Sequence, residues 1–122
     1  MTLVEFIESE LHRLHAMLNA ATRDLTPEQI EAFCKKWQIT RLELFGSVLR
    51  DDFDEKSDID LLATFVGRGP SRIGAILDME EELQALLGRP VDLVKRHLVE
   101  ESPNWIRRRA ILESARLIYA AA

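Results

Sequence analysis

Apolar residues recur along this chain with two periods, and the change from one to the other marks the elements. From residue 2 to 21, Val4, Ile7, Leu11, Leu14, Leu18 and Ala21 stand three and four apart. That spacing predicts a helix with a narrow apolar seam. Residues 22 to 26 interrupt it. Thr26 then reads as a helix N-cap, with Pro27 at the first helical position and Gln29 three residues after the cap. The helix it opens runs to about Trp37, with Ile30, Phe33, Cys34 and Trp37 on one face.

Ile39 to Phe45 shifts to a period of two, with Leu42 and Leu44 facing one way, and predicts a strand that Gly46 ends. Residues 47 to 57 are polar and acidic and read as a surface loop, with one helical turn at Ser47 to Arg50. Ile59 to Val66 is a second strand. Residues 67 to 71, GRGPS, form a loop, and Ser71 is read as the cap of a third helix carrying Ile73, Ile76, Leu77, Leu83, Leu86 and Leu87. Gly88 stops that helix. Val91, Leu93 and Val94 make a short third strand. Ser102 and Pro103 open a final helix to about Tyr119. The expected architecture is α/β (α+β): a small mixed β-sheet of about three strands flanked by helices. Residues 1–24 are read as an N-terminal helical extension and 25–122 as the domain itself.

Composition narrows the function. A chain of 122 residues suits one core. Its net charge of −5 argues against direct nucleic acid binding through a basic surface. It leaves room for a nucleotide substrate, because a metal ion can supply local positive charge. Cys34 is the single cysteine, which suits a reducing compartment. The acidic start, MTLVEFIESE, is unlike a secretory signal, and no apolar run approaches the ~20 residues that span a bilayer. A cytoplasmic location without membrane association is expected.

The chemistry concentrates at the mouth of the second strand. Asp58 and Asp60 are two residues apart, so in a strand they project from one face while Ile59 projects from the other. Two carboxylates at ~4 Å repel by ~4 kcal/mol at an effective dielectric near 20. That is a heavy load for a domain worth ~5–15 kcal/mol. A bound Mg²⁺, which prefers hard oxygen ligands, relieves it. The bland alternative is a solvated strand end with Asp58 paired to Lys56 or Arg50. Asp78 and Glu80 share the same spacing, but in a predicted helix they diverge by ~200° and are read as a solvated face.

Asp92 is a third acid embedded in an apolar strand. If its strand lies beside residues 59 to 66, three carboxylates can meet and hold two divalent ions. The alternative is pairing with Arg89 or Lys95. Gly46-Ser47 follows a strand, where glycine permits close backbone approach to a phosphate and the hydroxyl can donate to it. Alone, the pair is also an ordinary turn.

Gly46-Ser47, ten residues, then Asp58-Ile59-Asp60 resembles the GSx10DxD signature of the polymerase-beta-like nucleotidyltransferases. LFGSVLRDDFDEKSDIDLLATF, a leucine-rich helix and LLGRPVDLV together resemble the minimal nucleotidyltransferase (MNT) domain over residues 26 to 119. The resemblance implies a nucleotidyltransferase fold, ATP as substrate and two Mg²⁺ ions. It implies that Asp58 and Asp60 hold both metals and that Asp92 completes the metal site nearest the nucleophile. Gly46 and Ser47 would hold the triphosphate tail. Arg50 stands where the family often has a phosphate-binding arginine, although Asp51 and Asp52 follow it here in place of glycine. Many stand-alone MNT proteins are antitoxins that transfer AMP to a tyrosine of a HEPN toxin, so a HEPN-type partner is implied. Residues 1–21 offer a surface for a homo- or hetero-oligomer. Two further functions stay open: transfer to a small-molecule hydroxyl, and neutralisation of a partner by binding alone.

The remaining residues of chemical interest read as structural. His12 and His15 lack a third ligand and are read as surface residues. Arg107, Arg108 and Arg109 spread around a helix and form a solvated face. Arg68 and Arg72 keep the loop after the second strand soluble. Trp37 and Trp105 are assigned to the core, with base stacking as the alternative for Trp105.

Overall fold

The computed structural model describes residues 26–46, 58–72 and 74–121. The heptad-like segment, the 1–24 boundary, and Ser47 and Arg50 lie outside the described residues.

Helix α1 is Pro27–Lys36. Its capping box is formed in both directions: the Gln29 N–H donates to Thr26 Oγ1 at 3.2 Å and the Thr26 N–H to Gln29 Oε1 at 2.9 Å. Strand β1, Ile39–Phe45, and strand β2, Ile59–Phe65, pair antiparallel. Helix α2 is Ala75–Leu87, followed by strand β3, Val91–Lys95. Gly88 ends α2 in the left-handed conformation, φ +74°, with its N–H on the Gln84 carbonyl at 2.8 Å. The cap of α2 is Gly74, with no side-chain hydrogen bond, so Ser71 does not open this helix.

The last third of the chain differs most from expectation. Arg96–Glu100 is a short helix, α3, directly after β3. Helix α4 is Trp105–Ser114, capped by Asn104, whose side chain accepts from the Arg107 N–H at 3.2 Å. It does not reach Tyr119. Residues Arg116–Ala120 form a fourth strand, β4, antiparallel to β1. Among the described residues the sheet therefore has four strands rather than about three, in the order β3-β2-β1-β4. β2 and β3 are parallel.

Alternation sorts the strand residues onto two faces. Leu42, Leu44, Ile59, Leu61, Val91, Leu93 and Ile118 face α1 and α2 and form the main core with Phe33, Cys34, Met79 and Leu83. Burying each large aliphatic side chain contributes about 1.5–3 kcal/mol. The opposite face carries a smaller cluster of Phe45, Leu62 and Val99, with Val94, Ile111 and Leu112 packed against it. α3 and α4 cover this face only in part, because α4 buries none of its residues fully. Trp105 is 59% exposed and belongs to neither cluster, which corrects its assignment to the core. Trp37 does pack against the main core, and its indole N–H donates to Glu82 at 2.8 Å.

Glu80 is also more than a solvated acid. It accepts the Leu93 N–H at 2.8 Å and so satisfies a backbone donor of the edge strand β3. Asp78 pairs with Arg72 at 2.7 Å.

Candidate active site

Three chain segments deliver the site to one end of the sheet. β1 arrives there at its C-terminal end, while β2 and β3 leave from it at their N-terminal ends. The Ile59 N–H donates to the Pro90 carbonyl at 2.9 Å and fastens the mouths of β2 and β3 together. In the parallel register Asp60 is the partner of Asp92, and in the antiparallel register it is the partner of Phe45. Paired residues share a face, so Asp60 and Asp92 lie side by side on the face opposite the main core. Asp58 sits just before the first residue of β2 and is exposed, Asp92 is exposed, and Asp60 is half-buried.

Gly46 continues β1 past Phe45. Its φ of +74° is a conformation that residues with a side chain rarely adopt. Its other constraint is spatial: a β-carbon there would lie 2.5 Å from Asp60 Oδ2. The glycine is needed twice over, for the turn and for the space the carboxylate occupies.

Among the described residues, no three His, Cys, Asp or Glu side chains converge closely enough to make a ready metal cage. Asp58 and Asp60 each engage another group. The side-chain amine of Lys95, weighed as a partner for Asp92, donates instead to the Pro70 carbonyl at 2.8 Å. Arg68 pairs with Glu101 at 3.8 Å and Arg109 with Glu113 at 2.9 Å, as surface ion pairs.

Sequence reasoning missed one feature of this face. Glu43 is buried at 4% exposure and forms an ion pair with Arg96, Oε1 to Nη1 2.6 Å. It ties the first residue of α3 across to β1, two residues before Phe45. The signal was an acid inside the apolar run LELF.

The chain matches the family described as Nucleotidyltransferase domain over residues 27–118. Protein adenylyltransferase MntA of Thermococcus cleftensis is 35% identical over 80 residues, which covers 59% of this chain and 79% of that protein. A solved toxin–antitoxin complex with AMP-PNP shares the fold at a TM-score of 0.60 and 17% identity, over 80% of this chain and 75% of that one. So does a complex of tri-AMPylated Shewanella oneidensis HEPN toxin with MNT antitoxin, at a TM-score of 0.53 and 15% identity, over 78% of this chain and 70% of that one. No helix among the described residues is long and apolar enough to cross a membrane. With the glycine turn packed on Asp60, Asp92 in register beside it and the match running through all three, the chain belongs to the nucleotidyltransferase domain family.

Proposed function

We propose that this protein transfers AMP from ATP to a tyrosine hydroxyl of a HEPN-type toxin and so acts as its antitoxin. The observation that carries the reading is Asp60, opposed in register by Asp92 and packed against Gly46. The adenylyltransferase relative and the likeness to toxin–antitoxin complexes support AMP transfer and a HEPN toxin as the partner.

Carboxylate oxygens are the donors Mg²⁺ prefers, and a site with few protein carboxylates suits an ion that completes its shell with substrate phosphates. Asp60 and Asp92, register partners, would hold it, and Asp58 would join them only once an ion draws the three carboxylates together. When bound, Mg²⁺ supplies charge neutralisation at the α-phosphate. The other roles fall to the protein. The backbone at Gly46, with the Ser47 hydroxyl and the Arg50 guanidinium, holds the triphosphate tail. Asp92 accepts the proton of the attacking hydroxyl. The acceptor oxygen forms a bond to the α-phosphorus, the bond to the bridging oxygen of pyrophosphate breaks, and pyrophosphate leaves with that electron pair. Residues 1–21 provide a contact surface for the partner.

The test mixes the protein with Mg²⁺, α-labelled ATP and the product of the neighbouring gene. A mass increment of AMP on a partner tyrosine is expected. Asp58→Asn with Asp60→Asn should abolish it. Protection of cells by that double variant would replace catalysis with neutralisation by binding. Labelling of a small hydroxyl compound with none of the partner would redirect the activity to a small-molecule acceptor.

A further inference from the structure

Next to the carboxylates, the same sheet face opens into a recess of about 190 Å³ between the strands and the helices α3 and α4. Phe45 and Val99 form its buried floor, Val94 and Ile111 its half-buried walls, and Leu98 and Arg107 stand exposed at its lip. Phe45 is the register partner of Asp60, and Val94 follows Asp92 by two residues on the same face. The recess thus begins one side chain away from both acids. Gly46 lies beyond Phe45 in the other direction, toward the loop end of the sheet.

The chemistry of the lining separates two ring-shaped ligands. Among the described residues no carboxylate or carboxamide side chain lines it; the polar side chains described there are Arg107, Arg108 and the Ser102 hydroxyl, which already accepts the Asn104 N–H. A purine seated there could pair its ring nitrogens with the guanidiniums, but its exocyclic amino group would find only the Ser102 hydroxyl as a side-chain acceptor among the described residues, at a cost in unpaired donors. A phenol makes no such demand. Its ring occupies apolar surface while its hydroxyl reaches the charged end. Leu98, on α3, is 54% exposed at the lip, an apolar contact that a protein surface covers and a free nucleotide does not need. In-line displacement adds direction, since the attacking oxygen must approach from the side opposite the leaving pyrophosphate. With the phosphate tail at Gly46, that side is the recess.

We infer that this recess receives the aromatic ring of the acceptor tyrosine, with Leu98 and Arg107 touching the partner protein around it. The inference rests on the adenylyl-transfer reading and names where its second substrate docks.

Leu98→Glu tests it, because an exposed leucine can be replaced without loss of the fold. Val94→Trp, which fills the recess, is the second variant. Label transfer from α-labelled ATP is measured against concentration of the HEPN partner, and Mg·ATP binding by calorimetry. The acceptor KM should rise about tenfold or more in Leu98→Glu, with ATP affinity unchanged. A fall in ATP affinity at constant acceptor KM would assign the recess to the base and overturn the inference. So would a wild-type response from Leu98→Glu in both assays. A wild-type protein that labels no partner would remove the adenylyl-transfer reading and this inference with it. Labelling by the wild type and equal labelling by the variant would remove the inference alone.

Discussion

Gly46 stands against Asp60 so closely that a β-carbon at position 46 would lie 2.5 Å from the carboxylate oxygen Oδ2. Alanine there must displace Asp60 and also hold a left-handed backbone. The backbone alone costs about 1–2 kcal/mol. A shift of about 1 Å in a reacting group can cost about 100-fold in rate. Gly46→Ala should therefore lose about 1–2 kcal/mol in urea unfolding and about 100-fold in AMP transfer, a loss of rate beyond what the folded fraction explains.

Asp60 and Asp92 are opposed in register, so neutralising one removes like-charge repulsion from the apo fold. Asp92→Asn should keep or slightly raise the unfolding midpoint, whereas Asp60 also engages another group in the fold, so Asp60→Asn is read by activity alone. Each should lower AMP transfer by at least about 100-fold. A drop in stability in Asp92→Asn would mean that its carboxylate is a structural acceptor. Thermal unfolding and label transfer on the same preparations decide the matter.

The Glu43–Arg96 pair has one partner nearly sequestered from water. Removing only the cation strands a buried charge, at about 3–5 kcal/mol. Arg96→Met should be destabilised by that order in chemical unfolding. Glu43→Leu with Arg96→Met should recover most of it, because no lone charge is left behind. Additive losses in the double variant would contradict a coupled pair.

Cys34 gives the fold a pH dependence on the alkaline side. Burial pushes its thiol from 9.0 up to about 12. Between those values the unfolded chain has released a proton that the folded protein keeps. Stability is whole below pH 9 and falls by up to about 1.4 kcal/mol per pH unit as pH rises toward 12. Tyr119, raised by burial and by its nearness to Cys34, acts in the same direction. Unfolding titrations from pH 8 to 11 should show the fall, and Cys34→Ala should flatten it to the Tyr119 contribution.

Legibility varied along the chain for physical reasons. The start of α1 could be read to the residue because it is local chemistry: Thr26, Pro27 and Gln29 are within one turn. β1 and β2 were plain because a period of two is bounded by Gly46 on one side and by the apolar run after Asp58 on the other. The end of the chain departs from the single helix its pattern predicts. ILESARLIYAA combines good helix formers with apolar spacing that fits either period. Its last residues became β4 because β1 offered an unpaired edge, and backbone hydrogen bonding to that edge outweighs a weak helical preference. α3 left little trace, being five residues long and without a side-chain cap.

The sequence by itself determined the acids, the glycine and their spacing, since these follow from residue identity and from alternation along single strands. Only the tertiary structure decided that β3 lies parallel to β2 with Asp92 opposite Asp60, that β4 closes the other edge, and that α3 and α4 leave a recess beside the carboxylates. The reason is range: side-chain direction within a strand is a local property, whereas register and neighbour order come from hydrogen bonds and burial between segments far apart in the chain.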